Sequence, residues 1–374
     1  MALNSTKPLV SIIIPIYNGK SWIDTCFEAI TMQTVISSMH LEVAVCEDAS
    51  TDGTLELIER WRKKFDELSI SLKIFKNETG KPKGVGYAKN RAVEVSTGDY
   101  LCFQDIDDIM LPHRIEIQYR LAKDNQSAII GGRFKRKPEN STERFVRWAN
   151  NLYLEQLKIQ IYTSHGPTVI MPTWFCHRNV FNNVTGGFSE KGHGTPEDLL
   201  FFYSHLDNNG DILRTDEVIL NYMYHPAATT FSIKQQTIFE IRVARLEKII
   251  LPNWPAFTIW NAGKEGRQLF RSLNQRFQKR VIALCDVDEK KIGRKYTPYD
   301  AFKRKAKDPI PIVHFTEAQP PFIICVKLVS FTKSSENNIC NNEHFCLQDM
   351  TNGVFEDNLK SLYLKEDVDY VLFN

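Results

Sequence analysis

In Tyr100-Leu-Cys-Phe-Gln-Asp105-Ile-Asp107-Asp108 an apolar run of strand length ends in three acids. Side chains alternate along a strand, so carboxylates two residues apart at its end share a face. Anions crowded in this way repel one another unless a cation sits between them. Hard oxygen ligands suit Mg²⁺ or Mn²⁺, ions commonly shared with phosphate oxygens. The stretch therefore reads as a metal–diphosphate site, with Asp107 as principal ligand, Asp105 contacting metal or ribose, and Asp108 assisting.

Working outward, Ser11-Ile-Ile-Ile-Pro-Ile-Tyr17-Asn18-Gly19 is an apolar strand that stops at a polar turn. Leu41-Glu-Val-Ala-Val-Cys46 is a second strand. It runs into Glu47-Asp48-Ala-Ser-Thr-Asp52-Gly53-Thr54, where Ser50, Thr51 or Asp52 is placed to cap a helix over 55–65. Lys73-Ile-Phe75 is a third strand. Gly84-Val-Gly-Tyr-Ala-Lys89-Asn-Arg91 opens another helix, closed by Gly98-Asp99 before the Tyr100 strand. Strand and helix alternate, which predicts a mostly parallel sheet with helices on both faces. Such sheets bind ligands beyond the carboxyl ends of their strands, and Tyr17, Asp48 and Asp105 lie at three such ends.

The motifs at 11–19, 47–54 and 98–108, taken together, resemble those of the family 2 glycosyltransferases. The match is close over about 9–115 and looser to about 232, through Gly186-Gly187-Phe188, Pro196-Glu197-Asp198 and Tyr222-Met-Tyr-His225. Two residues depart from the family's usual strings: Glu47 replaces the first of two paired Asp, and Gln104 replaces an apolar residue. A Gln-x-x-Arg-Trp string, the mark of the processive branch, does not follow Glu197-Asp198. The resemblance implies a GT-A nucleotide-sugar fold, a UDP-sugar donor and a Mn²⁺ or Mg²⁺ cofactor. It places Tyr17 by stacking and Asp48 by accepting from a uracil N–H, with Lys89 at ribose or phosphate. His225 completes the metal shell, Asp198 is the general base, and Gly187 and Glu197 belong to the acceptor side. An acid at a helix start is also a good cap, so Asp198 carries both readings. One base implies a single displacement with inversion at the anomeric carbon.

The 374 residues suffice for two cores, and the 43% hydrophobic and 25% charged content is ordinary for a globular protein. Eight cysteines, several inside apolar strands, read as reduced thiols packed as small hydrophobes. Only Met1–Pro8 precede the first strand, and no 18-residue apolar run follows; the expectation is a cytoplasmic protein without a membrane anchor.

Pro252-Asn-Trp-Pro255 breaks the helical pattern of Gln235–Ile250 and divides the chain into 1–251, the catalytic domain, and 252–374. The second part, Phe257–Trp260, Asn261-Ala-Gly263-Lys-Glu-Gly266, a helix, then Val281–Asp286, is a Rossmann-like unit. Its turn is either a second nucleotide site or a scaffold without a ligand. Residues 264–307 hold 14 Lys/Arg against five Asp/Glu, a net of +9; the whole chain is +2, which leaves −7 for the rest. Aromatic residues Phe270, Phe277, Tyr296 and Phe302 interleave this charge. The stretch is a solvated face or a surface for the phosphate backbone of a nucleic acid, and Arg271, Lys279 and Arg280 are the candidate contacts. Over its whole length the chain also resembles galactosyltransferases acting on queuosine in tRNA, which implies UDP-galactose as donor. The alternatives are transfer to a protein or lipid acceptor, and an inactive GT-A binding module; intact Asp48, Asp105, Asp107 and Asp198 speak against the last.

Overall fold

A computed structural model describes residues 7–164, 166–300, 305–306, 308–326 and 353–373. β1 (Leu9–Ile16), β2 (His40–Glu47), β3 (Ser71–Lys76) and β4 (Tyr100–Phe103) alternate with helices Lys20–Thr31, Thr54–Glu67 and Val85–Val95. β1, β2 and β4 are buried along nearly their full length, as expected for strands covered on both faces. The parallel registers Ile16↔Glu47, Glu47↔Lys76 and Ile13↔Phe103 bring their carboxyl ends to one edge.

β5 (Ile109–Met110), β6 (Ala128–Lys137), β7 (Phe175–His177) and β8 (Asp211–Met223) complete an eight-stranded sheet in the order β3-β2-β1-β4-β7-β6-β8-β5. β7 runs against β4 and β6, and β5 runs against β8. The sheet is otherwise parallel, the α/β GT-A architecture. The basic run Arg133–Lys137 is the end of β6, paired with β8 from Val218 to Met223. That pairing carries the chain before His225 back to the acidic turn, because Ile109 faces Asn221. Behind β4, Phe103, Trp174, Phe188, Phe201 and Phe202 stack into an aromatic core. This core holds helix Glu197–Asp207 by Leu199, Phe201 and Phe202.

The division into two compact units falls between Lys234 and Gln235 rather than at 251–252, and Ile159–His165 joins the second unit. Helix Gln235–Ile249 accounts for the shift. It buries Ile238, Val243 and Leu246, and Arg242 donates to the Thr163 and Ser164 carbonyls. The second unit continues with β9 (Phe257–Trp260), β10 (Val281–Asp286), β11 (Lys295–Tyr296), β12 (Tyr299–Asp300), β13 (Lys305–Ala306), β14 (Ile310–His314), β15 (Phe322–Ile324) and β16 (Tyr370–Leu372). Its sheet order is β11-β14-β10-β9-β15-β16, with β14 to β16 parallel. The doubly wound order follows, chain reversal lying between β9 and β15.

Six cysteines among the described residues, Cys26, Cys46, Cys102, Cys176, Cys285 and Cys325, are buried free thiols; Cys340 and Cys346 lie outside the described residues. Among the described residues no helix is long and apolar enough to cross a membrane.

Candidate active site

The acidic turn is shaped from behind by a residue whose role the sequence did not disclose. Gln104 is fully buried and donates from Nε2 to the carbonyls of Asp105 (2.8 Å) and Asp108 (2.9 Å). Its Oε1 accepts from Arg114 (2.7 Å), whose other guanidinium nitrogens reach the Phe103 carbonyl and Gln118. An apolar residue at 104 would leave a buried guanidinium donor unmet. The departure from the family string is thus paired with Arg114, ten residues on. A polar residue followed by a lone Arg on a helix was the available signal.

Asp105, Asp107 and Asp108 each offer an oxygen within 4.8 Å of the others. The Asp108 Oδ1 accepts from the Met223 N–H at 2.8 Å, while its buried Oδ2 has no hydrogen-bond partner among the described residues. Burial, then the charges of Asp107 and Asp105, push Asp108 well above the usual carboxylate range. Burial also raises Asp105 to about 7, opposed by Lys89 and reinforced by Asp107, Glu197 and Asp198. His225 Nε2 lies 2.7 Å from Asp107 Oδ2, its ring tilted against Trp22 with centroids 5.2 Å apart. An orphaned buried oxygen among hard donors short of positive charge fits a divalent cation, for which these four residues are the available ligands.

On the donor side, Tyr17 follows β1 with half its surface exposed. Asn18 holds the adjoining turn: its Oδ1 accepts from the Thr51 N–H at 2.9 Å, and its own N–H donates to Ser50 Oγ. Gly53 takes the cap position of helix Thr54–Glu67 with φ +85°. Asp52, one of the anticipated caps, instead bridges the backbone N–H groups of Thr54 and Lys20. Asp48 is turned inward, only 1% exposed. It accepts from Asn77 Nδ2 (2.6 Å) and the backbone N–H groups of Lys83 and Gly84. Its carboxylate, expected at a uracil N–H, is engaged by the 77–84 loop.

Lys89, expected at ribose or phosphate, is 1% exposed and paired with Glu197 Oε1 at 2.7 Å, its ammonium 5.2 Å from the Phe188 ring centre. Glu197, expected on the acceptor side, is thereby spent on a buried ion pair. The neighbouring Asn90 clamps the same segment, donating to the Phe188 carbonyl and Glu190 and accepting from the Phe188 N–H. Gly187 sits within this clamp at φ +63°, where an added Cβ would come 2.5 Å from Asn90 Oδ1 and 2.8 Å from Phe181 Cζ. The glycine answers a packing need. Asp198 is half-buried and accepts from the Leu199 N–H. Burial and then Glu197 raise its carboxyl to about 6, with Lys89 opposing.

In the second unit, Arg271 and Lys279 are exposed, whereas Arg280 donates to the carbonyls of Leu251 (2.8 Å) and Trp254 (2.9 Å). Arg280, anticipated at tRNA phosphate, is occupied within the fold. Lys303, Arg304, Lys307 and Phe302 lie outside the described residues. In the glycine turn after β9, the Ala262 N–H is taken by Asp286 and the Gly263 N–H by Asn261 Oδ1. A Cβ on Gly266 would come 1.9 Å from the Asn261 carbonyl oxygen. The turn's geometry and donors serve its own packing.

Fold and site together define an α/β GT-A domain with an acidic cluster at the strand ends. Residues 11–185 match the profile of Glycosyl transferase family 2. It is 29% identical over 126 residues to a poly(ribitol-phosphate) beta-glucosyltransferase of Bacillus spizizenii, covering 34% of this chain and 19% of that protein. A chondroitin synthase of Escherichia coli is 29% identical over 240 residues, covering 62% of this chain and 31% of the synthase. The chain spans less than a third of the length of either relative. Among solved structures, S. aureus TarS 1-349 in complex with UDP-GlcNAc is similar at a TM-score of 0.48 and 19% identity, covering 74% of this chain and 72% of that chain.

Proposed function

We propose that this protein is an inverting, metal-dependent glycosyltransferase that transfers galactose from UDP-galactose to queuosine in tRNA. The observation that carries the glycosyl-transfer reading is the gathering of Asp105, Asp107, Asp108 and His225 at one sheet edge, with the charge of Asp198 bearing on Asp105. The choice of galactose and tRNA rests on the whole-length resemblance and on the basic stretch 264–307.

Asp107, Asp105, Asp108 and His225 would hold Mn²⁺ or Mg²⁺, which when bound would supply positive charge to the leaving diphosphate. Tyr17 stacks on the nucleobase. Asp48 acts at one remove, fixing the 81–84 turn beside it. Asp198 takes the proton of the acceptor hydroxyl, and as the single base it directs one in-line displacement with inversion. Exposed Arg271 and Lys279 hold the acceptor's phosphate backbone, contacts that position without specifying sequence.

A second reading, transfer to a glycan, is favoured by the relatives, which are named for poly(ribitol-phosphate) and chondroitin. The deciding experiment incubates the purified protein with Mn²⁺ and separate UDP-sugars, offering total tRNA, periodate-treated tRNA or oligosaccharides. Periodate destroys the queuosine diol. Galactose incorporation into untreated tRNA alone is expected; incorporation only into oligosaccharides replaces the tRNA reading with the glycan one.

A further inference from the structure

The Lys89–Glu197 ion pair spans 108 residues of sequence, joining helix Val85–Val95 to the first residue of helix Glu197–Asp207. Both side chains are almost wholly buried, at 1% and 9% exposure. Ion pairs in such a setting contribute little net stability against apolar substitutes, so their use is sought in what they place. The next residue is Asp198. The acids that bear on the Lys89 ammonium are Glu197, Asp105 and Asp198, from the helix Glu197–Asp207 and from the turn after β4. Lys89 is therefore a buried cation between the acids of the donor side and the base of the acceptor side. Asn90 fastens the same helix to Phe188 and Glu190, so Lys89 sits in a stretch whose neighbours are already fixed.

We propose that Lys89 is a positioning residue for glycosyl transfer: by pairing with Glu197 it sets the start of helix Glu197–Asp207, and its charge keeps Asp198 available as a carboxylate beside the metal-binding acids. This rests on the reading of Asp198 as the base. The charged groups bearing on Asp198 are Glu197 and Asp105, which disfavour its ionised form, and Lys89, which favours it. Removing the ammonium alone leaves Asp198 against like charge, and its titration moves up.

The test compares wild type, Lys89→Met, Lys89→Arg, Asp198→Asn and the double variant Lys89→Met/Glu197→Gln. Two readouts are taken: UDP release from UDP-galactose across pH, and the carboxyl ¹³C titration of Asp198, assigned by its loss in Asp198→Asn. For Lys89→Met the expected result is a kcat lowered by about 10²-fold, at the lower end of general-base effects, with donor KM within about twofold. The acid limb and the ¹³C midpoint both rise from about 6, and Lys89→Arg restores most of the rate. If Lys89→Met does not fold, the double variant, which buries no lone charge, carries the test. It is expected to fold with a lowered kcat but no upward shift of the midpoint, because the opposing influences leave together. A raised donor KM with unchanged kcat and midpoint in Lys89→Met would overturn the proposal and return Lys89 to the donor site. A double variant with wild-type kcat would also overturn it. Asp198→Asn separates the two levels: if it keeps the wild-type rate, the base assignment itself has failed and this role falls with it.

Discussion

Replacing Gln104 by Leu, the kind of residue the family usually carries there, preserves volume and removes three hydrogen bonds from a fully buried position. The bond from Arg114 is charge-assisted, about 1.5–3 kcal/mol, and the two donated to the Asp105 and Asp108 carbonyls are worth roughly 0.5–1.5 kcal/mol each. Arg114 can relax in part onto Gln118 and Phe103, to which it already donates, leaving an expected loss of about 3–5 kcal/mol. For a unit of this size each kcal/mol lowers Tm by about 2–4 °C, so the first unit's transition should fall by roughly 10 °C in scanning calorimetry. The same bonds set the turn that orients Asp105 and Asp108. Titration calorimetry should accordingly show UDP binding in Mn²⁺ weakened at least about tenfold, or about 1.4 kcal/mol. A double change, Gln104→Leu with Arg114→Leu, removes the orphaned charge and should recover much of the stability without recovering the affinity. A Gln104→Leu protein within about 1 kcal/mol of wild type and with unchanged affinity would refute the argument that this pair shapes the site.

Asp107→Ala should abolish Mn²⁺-dependent UDP binding while circular dichroism and Tm stay near wild type; full-rate transfer in excess EDTA would remove the metal from the scheme. The pH–rate profile should fall on the acid side below about 6, since Asp198 acts as a carboxylate and its carboxyl is raised to that value by burial and Glu197; a profile flat well into the acid range would exclude it as the base. Reversing Arg271 and Lys279 to Glu should weaken tRNA binding and flatten its salt dependence by about one unit of log–log slope for each phosphate no longer neutralised, leaving UDP affinity unchanged. Arg280→Glu should instead lower the thermal stability of the second unit, because Arg280 holds the Leu251 and Trp254 carbonyls; equal effects of the two changes on tRNA alone would contradict that distinction.

The sequence by itself determined the fold class and the acidic edge, because both are local in chain order. Buried strands of a parallel sheet are written as apolar runs, and the acids at 105, 107 and 108 follow their strand directly. The strand bounds at Phe257–Trp260 and Val281–Asp286 were legible for the same reason. What only tertiary structure decided was which polar side chains face the site. Lys89 and Glu197 lie 108 residues apart, and no periodicity tells that their charges satisfy one another in the core rather than a substrate. Asp48 turned out to hold the 77–84 loop, and Arg280 two carbonyls, since buried backbone donors and acceptors must be met and these side chains stood nearest. His225 reaches Asp107 because β8 pairs with both β5 and β6, a consequence of strand order and not of spacing. Residue type therefore announced the chemistry, while the pairing of distant strands and the satisfaction of buried polar groups chose which of the announced residues stand free to perform it.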